Sequence, residues 1–158
     1  NSFRNIQINT THIIYFDFND FKPFNDIYGF RQGDRAILIF SELLQKRYPK
    51  NSFIAHIGGD DFFVGLTDFT FEDVFELTLD IQNEFKYSAK NLYSNEDKEL
   101  GYIVSKDRFG TTRNFNLLSV SCAIVEINCK SNILNFDDTL NIMKKESKSS
   151  KEPVYKVL

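Results

Sequence analysis

Acidic side chains stand where apolar, β-rich runs stop. "IIYFDFNDFKPFNDIYG", residues 13 to 29, drives strand-forming residues into Asp17, Asn19, Asp20 and Lys22, and "HIGGDDFFVGL", residues 56 to 66, sets Asp60 and Asp61 behind two glycines. If the first run lies beside the second, Asp17 at a strand end and Asp60 at a hairpin tip meet at one edge of a sheet. Carboxylates that close repel each other unless a cation stands between them. Hard cations such as Mg²⁺ take oxygen ligands, keep several waters, and are held by one or two carboxylates together with substrate phosphates. A Mg²⁺–nucleotide site is the chemistry on offer, with Lys22 reaching a phosphate as a point charge and the N–H groups of a helix start acting likewise. By residue type alone a plainer reading stands beside it. Asp17, Asp20 and Asp60 also suit caps or Asx turns, and Asn25, Asp26 and Asp34, near Gly29 and Gly33, suit capping and turn roles. His12 and His56 read as core or edge residues, since nothing near them has metal-ligand spacing.

The elements that must position these groups follow from periodicity. Residues 12 to 18 predict a buried strand, and a short helix runs from about Asp20 to Tyr28, with Pro23 early enough that its missing N–H is tolerated. Gly29 and Gly33 bracket an expected break. From Asp34, the apolar positions Ala36, Ile37, Phe40, Leu43 and Leu44 predict an amphipathic helix that ends before Pro49. Residues 52 to 57 and 62 to 66 read as a hairpin whose Gly-Gly supplies the positive φ values of its turn. A second amphipathic helix is expected at about 70 to 87, with Phe71, Val74, Leu77, Ile81 and Phe85 on one face. Residues 88 to 116 are polar and turn-rich and read as an excursion from the core, with a small strand pair around "YIV" and the "RFG" turn. Residues 117 to 127 return as a long buried strand, 137 to 148 as a last helix, and "PVYKVL" as a short strand. The order β, α, α, β, β, α, β, α, β predicts an α/β (α+β) domain, a mostly antiparallel central sheet flanked by helices.

Bulk properties narrow the partners. A chain of 158 residues, 42% hydrophobic and 26% charged, suits one globular domain with its own core. Its formal net charge of −3 gives no basic field for DNA or RNA, so nucleic acid is not an expected partner. No stretch is apolar enough to cross a bilayer and no signal-peptide pattern opens the chain, so a cytoplasmic location without membrane contact is expected. Cys122 and Cys129 have neither redox nor disulfide-framework spacing and read as small buried thiols. The start at Asn1 without a Met, and a final strand-like run in need of neighbours, are expected of a domain from a longer protein.

"FDFNDFKPFNDIYGFRQGD", followed at the right distance by "GGDDF", resembles the GGDEF family, the diguanylate cyclase domains of bacterial cyclic-di-GMP signalling. The resemblance runs from about Tyr15 to Lys148. "HIGGDDF", "GYIVSKDRFG" and "LLSVSCAIV" are similar to the branch commonly joined to EAL phosphodiesterase and CBS domains, and residues 88 to 116 to an insertion in it. The resemblance implies a nucleotide-cyclase-like fold and Mg²⁺ (or Mn²⁺) held by Asp17, Asp60 and the Phe18 carbonyl. It puts Asp61 at the motif's usual Glu, close to the metals, where activation of the attacking hydroxyl has been considered. It makes Asp60 and Asp61 the catalytic pair, Lys22 a phosphate lysine, and Asn25 and Asp34 the guanine readers. A carboxylate suits that last role, because it can accept from guanine N1–H and the exocyclic amine together, an edge adenine lacks. A second phosphate lysine is Lys148 by motif or Lys145 by spacing from Asp138. The implied reaction joins two GTP into cyclic di-GMP and pyrophosphate across a homodimer.

Several positions depart from the family pattern. Asn19 stands for the second Asp of the usual Asp-x-Asp, Asp61 is one methylene shorter than Glu, Phe30 replaces a His and His56 an Arg. "PKNS", Pro49 to Ser52, stands where an inhibitory Arg-x-x-Asp is expected, so no product-inhibition site is predicted. Asn19 and Asp61 support an alternative, a silent GTP-binding module that regulates an attached EAL phosphodiesterase; pure dimerisation is a third option.

Overall fold

The computed structural model describes residues 9–158, so the first eight residues of the expected 1–158 domain lie outside the described residues. Its elements are β1 (Thr11–Asn19), α1 (Phe21–Tyr28), α2 (Phe30–Arg47), β2 (Phe53–His56), β3 (Asp61–Thr67), α3 (Phe71–Ala89), α4 (Asn95–Leu100), β4 (Tyr102–Lys106), β5 (Thr112–Asn116), β6 (Ser119–Ile127), α5 (Phe136–Ser147) and β7 (Val154–Val157). The main sheet has the order β2-β3-β1-β6-β7; β1 is antiparallel to β3 and β6, and β7 alone runs parallel to its neighbour β6. The expected α+β sheet flanked by helices is therefore the architecture found, with one parallel pair making it mixed.

Period-2 alternation divides β1 between two cores. Ile14, Phe16 and Phe18 point to the larger core, where Phe24 of α1, Phe40 and Leu44 of α2, and Ile81 and Phe85 of α3 close over them. Tyr15 points to the opposite face, packing with Ala123 and Val125 of β6 and Leu140 and Met143 of α5. Asp17, two residues after Tyr15, belongs to the α5 face, and its register partner on β3 is Asp61. Like charges directly opposite across a ladder weaken it, so this pair marks a place where the sheet is not optimised for stability.

Four expectations are corrected. Helix α2 begins at Phe30 after Gly29, so Gly33 and Asp34 lie inside it and do not form its start. Gly33 is there for packing: a Cβ at this position would stand 1.9 Å from Asn25 Oδ1 on α1. Residues 88 to 116 are not wholly an excursion, because Tyr93 and Ile103 are buried in the larger core and the Tyr93 hydroxyl accepts from the Leu118 N–H at 2.8 Å. Within that segment β4 and β5 form the expected strand pair, while α4 was not foreseen; Ser94 caps it by accepting from Asp97 N–H, and Gly101 ends it. Cys122 is buried as expected, but Cys129 is exposed beyond the end of β6. His12 is fully buried, with Nε2 3.7 Å from the Glu126 carboxylate, and burial depresses its pKa. His56 is exposed; it stacks on Phe62 and its Nε2 lies 2.7 Å from the Gly59 carbonyl, which braces the hairpin. Among the described residues no helix is long and apolar enough to cross a membrane.

Candidate active site

The hairpin of β2 and β3 carries acids to the end of β1. Gly58 and Gly59 have φ of 69° and 55°, the left-handed conformations that make the turn tight, and the Ile57 N–H donates to the Asp61 carbonyl at 3.0 Å. Asp60 follows directly. Carboxylate oxygens of Asp17, Asp60 and Asp61 lie within 4.8 Å of one another, although the residues come from two strands far apart in sequence. Carboxylates this close relieve their mutual repulsion by sharing a hard cation. The donor set is all oxygen, which fits Mg²⁺ or Mn²⁺ and not a softer metal.

A cation of the chain's own already sits at one of these carboxylates, that of Asp17. Lys148, just past the end of α5, donates from Nζ to Asp17 Oδ2 at 2.7 Å, to the Phe18 carbonyl at 3.0 Å and to Asn19 Oδ1 at 3.1 Å. Two of those three oxygens are the ones predicted to hold metal. Of the two candidate phosphate lysines only Lys148 is at the acids; Lys145 is exposed and makes no side-chain hydrogen bond or ion pair among the described residues. The Phe18 carbonyl is well fixed, because its ring packs on Phe21, Phe40 and Phe85 with centroids 4.8 to 5.4 Å away.

Burial raises the Asp17 pKa above its ordinary value; the bond to Lys148 and its charge pull it back, and Asp60 pushes it up again. Burial likewise raises that of Asp20, against the charges of Lys148 and Arg113. Asp20 occupies the N-cap position of α1 without a side-chain capping bond, in a left-handed conformation at φ 59°, a cost of the kind that collects at functional sites.

Sequence reasoning missed two supports. The Tyr15 hydroxyl donates to Asp61 Oδ1 at 2.8 Å, and its phenol pKa is driven up by burial and by the three carboxylates around it. Its signal was present, since Tyr15 lies two residues before Asp17 and so on the same face of β1. Asn19, where the family pattern has an acid, is committed elsewhere: Nδ2 donates to Ser119 and Oδ1 accepts from Ser121 at 2.7 Å. The partners lie about a hundred positions away on β6, out of reach of any local pattern.

The other predicted residues form a second group on α1 and α2. Asn25 Oδ1 is buried without a hydrogen-bond partner and abuts Gly33, the residue before exposed Asp34. An unpaired buried amide oxygen carries a desolvation cost that an N–H partner would relieve. Lys22 is exposed and paired with Asp26 at 2.9 Å, one helical turn on.

Comparison with known proteins gives the family and the fold. The family model described as diguanylate cyclase, GGDEF domain matches residues 3–107. The signaling protein YkoW of Bacillus subtilis is 40% identical over 58 residues, 37% of this chain and 7% of that protein. The probable diguanylate cyclase DgcJ of Escherichia coli is 27% identical over 89 residues, 56% of this chain and 17% of that protein. The chain thus spans only a small part of these relatives' lengths. Among solved structures, the GGDEF domain of DgcB from Caulobacter crescentus in complex with c-di-GMP superposes with a TM-score of 0.66 at 18% identity, covering 94% of this chain and 77% of that one. The active GGEEF domain of a diguanylate cyclase from Vibrio cholerae gives 0.67 at 16% identity, covering 93% and 83%. At such identities these structures speak for the fold, while the family match spans more than half of the chain: the protein belongs to the diguanylate cyclase GGDEF domain family.

Proposed function

We propose that the domain condenses two GTP molecules into cyclic di-GMP with release of pyrophosphate, as a homodimer and with Mg²⁺ or Mn²⁺. One observation carries this reading, the convergence of Asp17, Asp60 and Asp61 to within 4.8 Å beside the Phe18 carbonyl. Asp17, Asp60 and that carbonyl are the groups that would hold the ion; when bound it supplies charge neutralisation at the phosphates and a lower pKa for the attacking hydroxyl. Asp61, held by Tyr15, is placed to take the proton of a 3′-hydroxyl. That oxygen bonds to the α-phosphate of the GTP on the facing domain as the bond to pyrophosphate breaks in line. The same event in the other direction closes the ring. Lys148 exchanges its carboxylate and carbonyl partners for phosphate oxygens, and Lys22 leaves Asp26 to do likewise. Asn25 and Asp34 select guanine, and the unpartnered Asn25 Oδ1 is what an arriving N–H donor would satisfy.

A second reading, a silent GTP-binding module governing an attached EAL phosphodiesterase, is favoured by Asn19. Its side chain is spent on Ser119, Ser121 and Lys148, so the position holds structure together instead of adding charge to the site. Fused EAL and CBS domains and a cytoplasmic location belong to this proposal as well. Incubation with GTP and Mg²⁺, with chromatographic detection of cyclic di-GMP and pyrophosphate, decides between the two. Product that disappears in Asp60→Asn supports the cyclase. GTP-dependent thermal stabilisation without turnover, in a longer chain able to dimerise, supports the module.

A further inference from the structure

Helix α1 has only eight residues and no side-chain bond at its N-cap, and a helix so short does not hold its shape or its aim alone. It nevertheless presents Asn25 to Gly33 of α2 in a close fit, with Oδ1 buried and unpaired. Apolar contacts supply part of the hold. The Phe24 and Tyr28 rings stack with centroids 5.2 Å apart, and Tyr93, whose hydroxyl accepts from the Leu118 N–H just before β6, meets both rings edge-on at 5.2 Å. Such packing is non-directional and leaves a short helix free to turn on its axis. The direction comes from one hydroxyl. Tyr28 donates to the Asp97 carboxylate and accepts from the Ser94 N–H at 3.1 Å, while Ser94 Oγ accepts from the Asp97 N–H at 3.2 Å. Among the described residues the Tyr28 hydroxyl makes the only side-chain hydrogen bonds by which α1 reaches another element, since Lys22 pairs with Asp26 inside the helix.

We propose that Tyr28, latched to Asp97, is a positioning residue that aims Asn25 and thereby sharpens the choice of guanine over adenine; the selectivity rests on the reading of Asn25 as a guanine contact, whereas the latch itself does not. Residues three apart on a helix are neighbours on its surface, so fixing Tyr28 fixes the rotation of the turn that carries Asn25. The Gly29 N–H closes that same turn by donating to the Asn25 backbone carbonyl at 2.8 Å. Hydrogen bonds weaken steeply as distance and angle depart from their optimum, so a small rotation of α1 costs Oδ1 its bond to a base. Lysines hold phosphate as point charges on flexible stems and tolerate the same displacement. The signature of the latch is therefore selectivity between bases, with the phosphate contacts spared.

Titration of the 158-residue chain with α,β-methylene analogues of GTP and ATP, each with Mg²⁺, is one arm of the test. Tyr28→Phe keeps the stacked ring and removes the hydroxyl, and a matched thermal melt verifies its fold. It should weaken the GTP analogue about three- to tenfold, the worth of one misaimed hydrogen bond, and leave the ATP analogue within about twofold. Asp97→Ala should do the same. Asp97→Asn, whose amide oxygen still accepts from Tyr28, should restore most of the selectivity, and Tyr28→Phe/Asp97→Ala should be no worse than either single variant. The second arm needs no nucleotide. In the isotope-labelled, ligand-free chain the Asn25 side-chain amide signals, assigned by their loss in Asn25→Ala, should shift in Tyr28→Phe and lie close to their wild-type positions in Asp97→Asn. Equal losses for the two analogues, an unchanged ratio between them in Tyr28→Phe, or Asn25 signals that stay in place would overturn the proposal. A wild type that binds both analogues alike, with Asn25 signals that still move in Tyr28→Phe, upholds the latch and retires only the guanine reading of Asn25.

Discussion

Replacing Lys148 by Met should make nucleotide-free metal binding stronger, although the same change should impair use of GTP. The ammonium spends its three N–H groups on Asp17, the Phe18 carbonyl and Asn19, at 2.7, 3.0 and 3.1 Å. With an effective dielectric of about 20, the Lys148–Asp17 contact alone has a gross attraction of about 6 kcal/mol. The two side chains are 40% and 21% exposed, so most of that is lost to screening and to the cost of desolvation. Exposed pairs retain about 0.2–1 kcal/mol and hydrogen bonds to charged groups about 1.5–3, which places the net hold near 1.4 kcal/mol. An ion using the Asp17 carboxylate and Phe18 carbonyl must first displace the ammonium. Lys148→Met should therefore tighten Mn²⁺ binding about tenfold, read by electron paramagnetic resonance at pH 8 without nucleotide. In the presence of GTP the sign reverses, with a higher KM, because a phosphate partner is gone. Lys145→Met, which touches none of these oxygens, should change neither quantity. Unchanged or weaker Mn²⁺ binding in Lys148→Met would mean that ammonium and metal do not share oxygens, and the argument would fail.

Tyr15→Phe should lower kcat several-fold while KM for GTP moves little, since the lost hydroxyl orients Asp61 only; steady-state kinetics beside a thermal melt showing about 1 kcal/mol of destabilisation would check both parts. Gly33→Ala should raise KM for GTP and blunt the preference of GTP over ATP, because its Cβ would stand 1.9 Å from Asn25 Oδ1 and must drive that side chain out; equal discrimination by thermal shift would contradict the role of Asn25. Asp17→Asn should abolish activity yet raise Tm at pH 7 in the absence of metal. The sign follows from the raised folded-state pKa: the folded protein binds the proton more readily than the unfolded chain, so ionised Asp17 costs stability at neutral pH. That cost fades as pH falls through the folded pKa and is gone below the ordinary 3.8, so the gain in Tm should vanish there; a gain independent of pH would refute it.

Each arm of the acid cluster was legible because its determinants are local, whereas the pairing of β1 with β3 that joins the arms is long-range. Strand alternation fixes the face of Asp17, and two glycines before Asp60 fix the turn that carries it. Long-range partners were not legible. Lys145 and Lys148 are close to one helical turn apart, and only the end of α5 at Ser147 decides which turns toward β1. Gly33 looked like a breaker because glycine in a helix interior is unfavourable by itself; its reason is the α1 side chain packed against it. Helix α4 escaped because it has no apolar stripe and depends on the Ser94 cap and its neighbours. The latch between Tyr28 on α1 and Asp97 on α4 spans 69 positions, and no sequence pattern joins those.

The central claim is that the carboxylates of β1 and the hairpin hold a divalent ion together with a guanosine triphosphate. Titrating a non-reactive α,β-methylene GTP analogue into wild type and Asp17→Asn, each with and without Mn²⁺, addresses it directly. The account predicts that Mn²⁺ strengthens binding in the wild type and leaves Asp17→Asn unaffected. Equal enhancement by Mn²⁺ in both proteins would show that the ion rides on the nucleotide without these carboxylates.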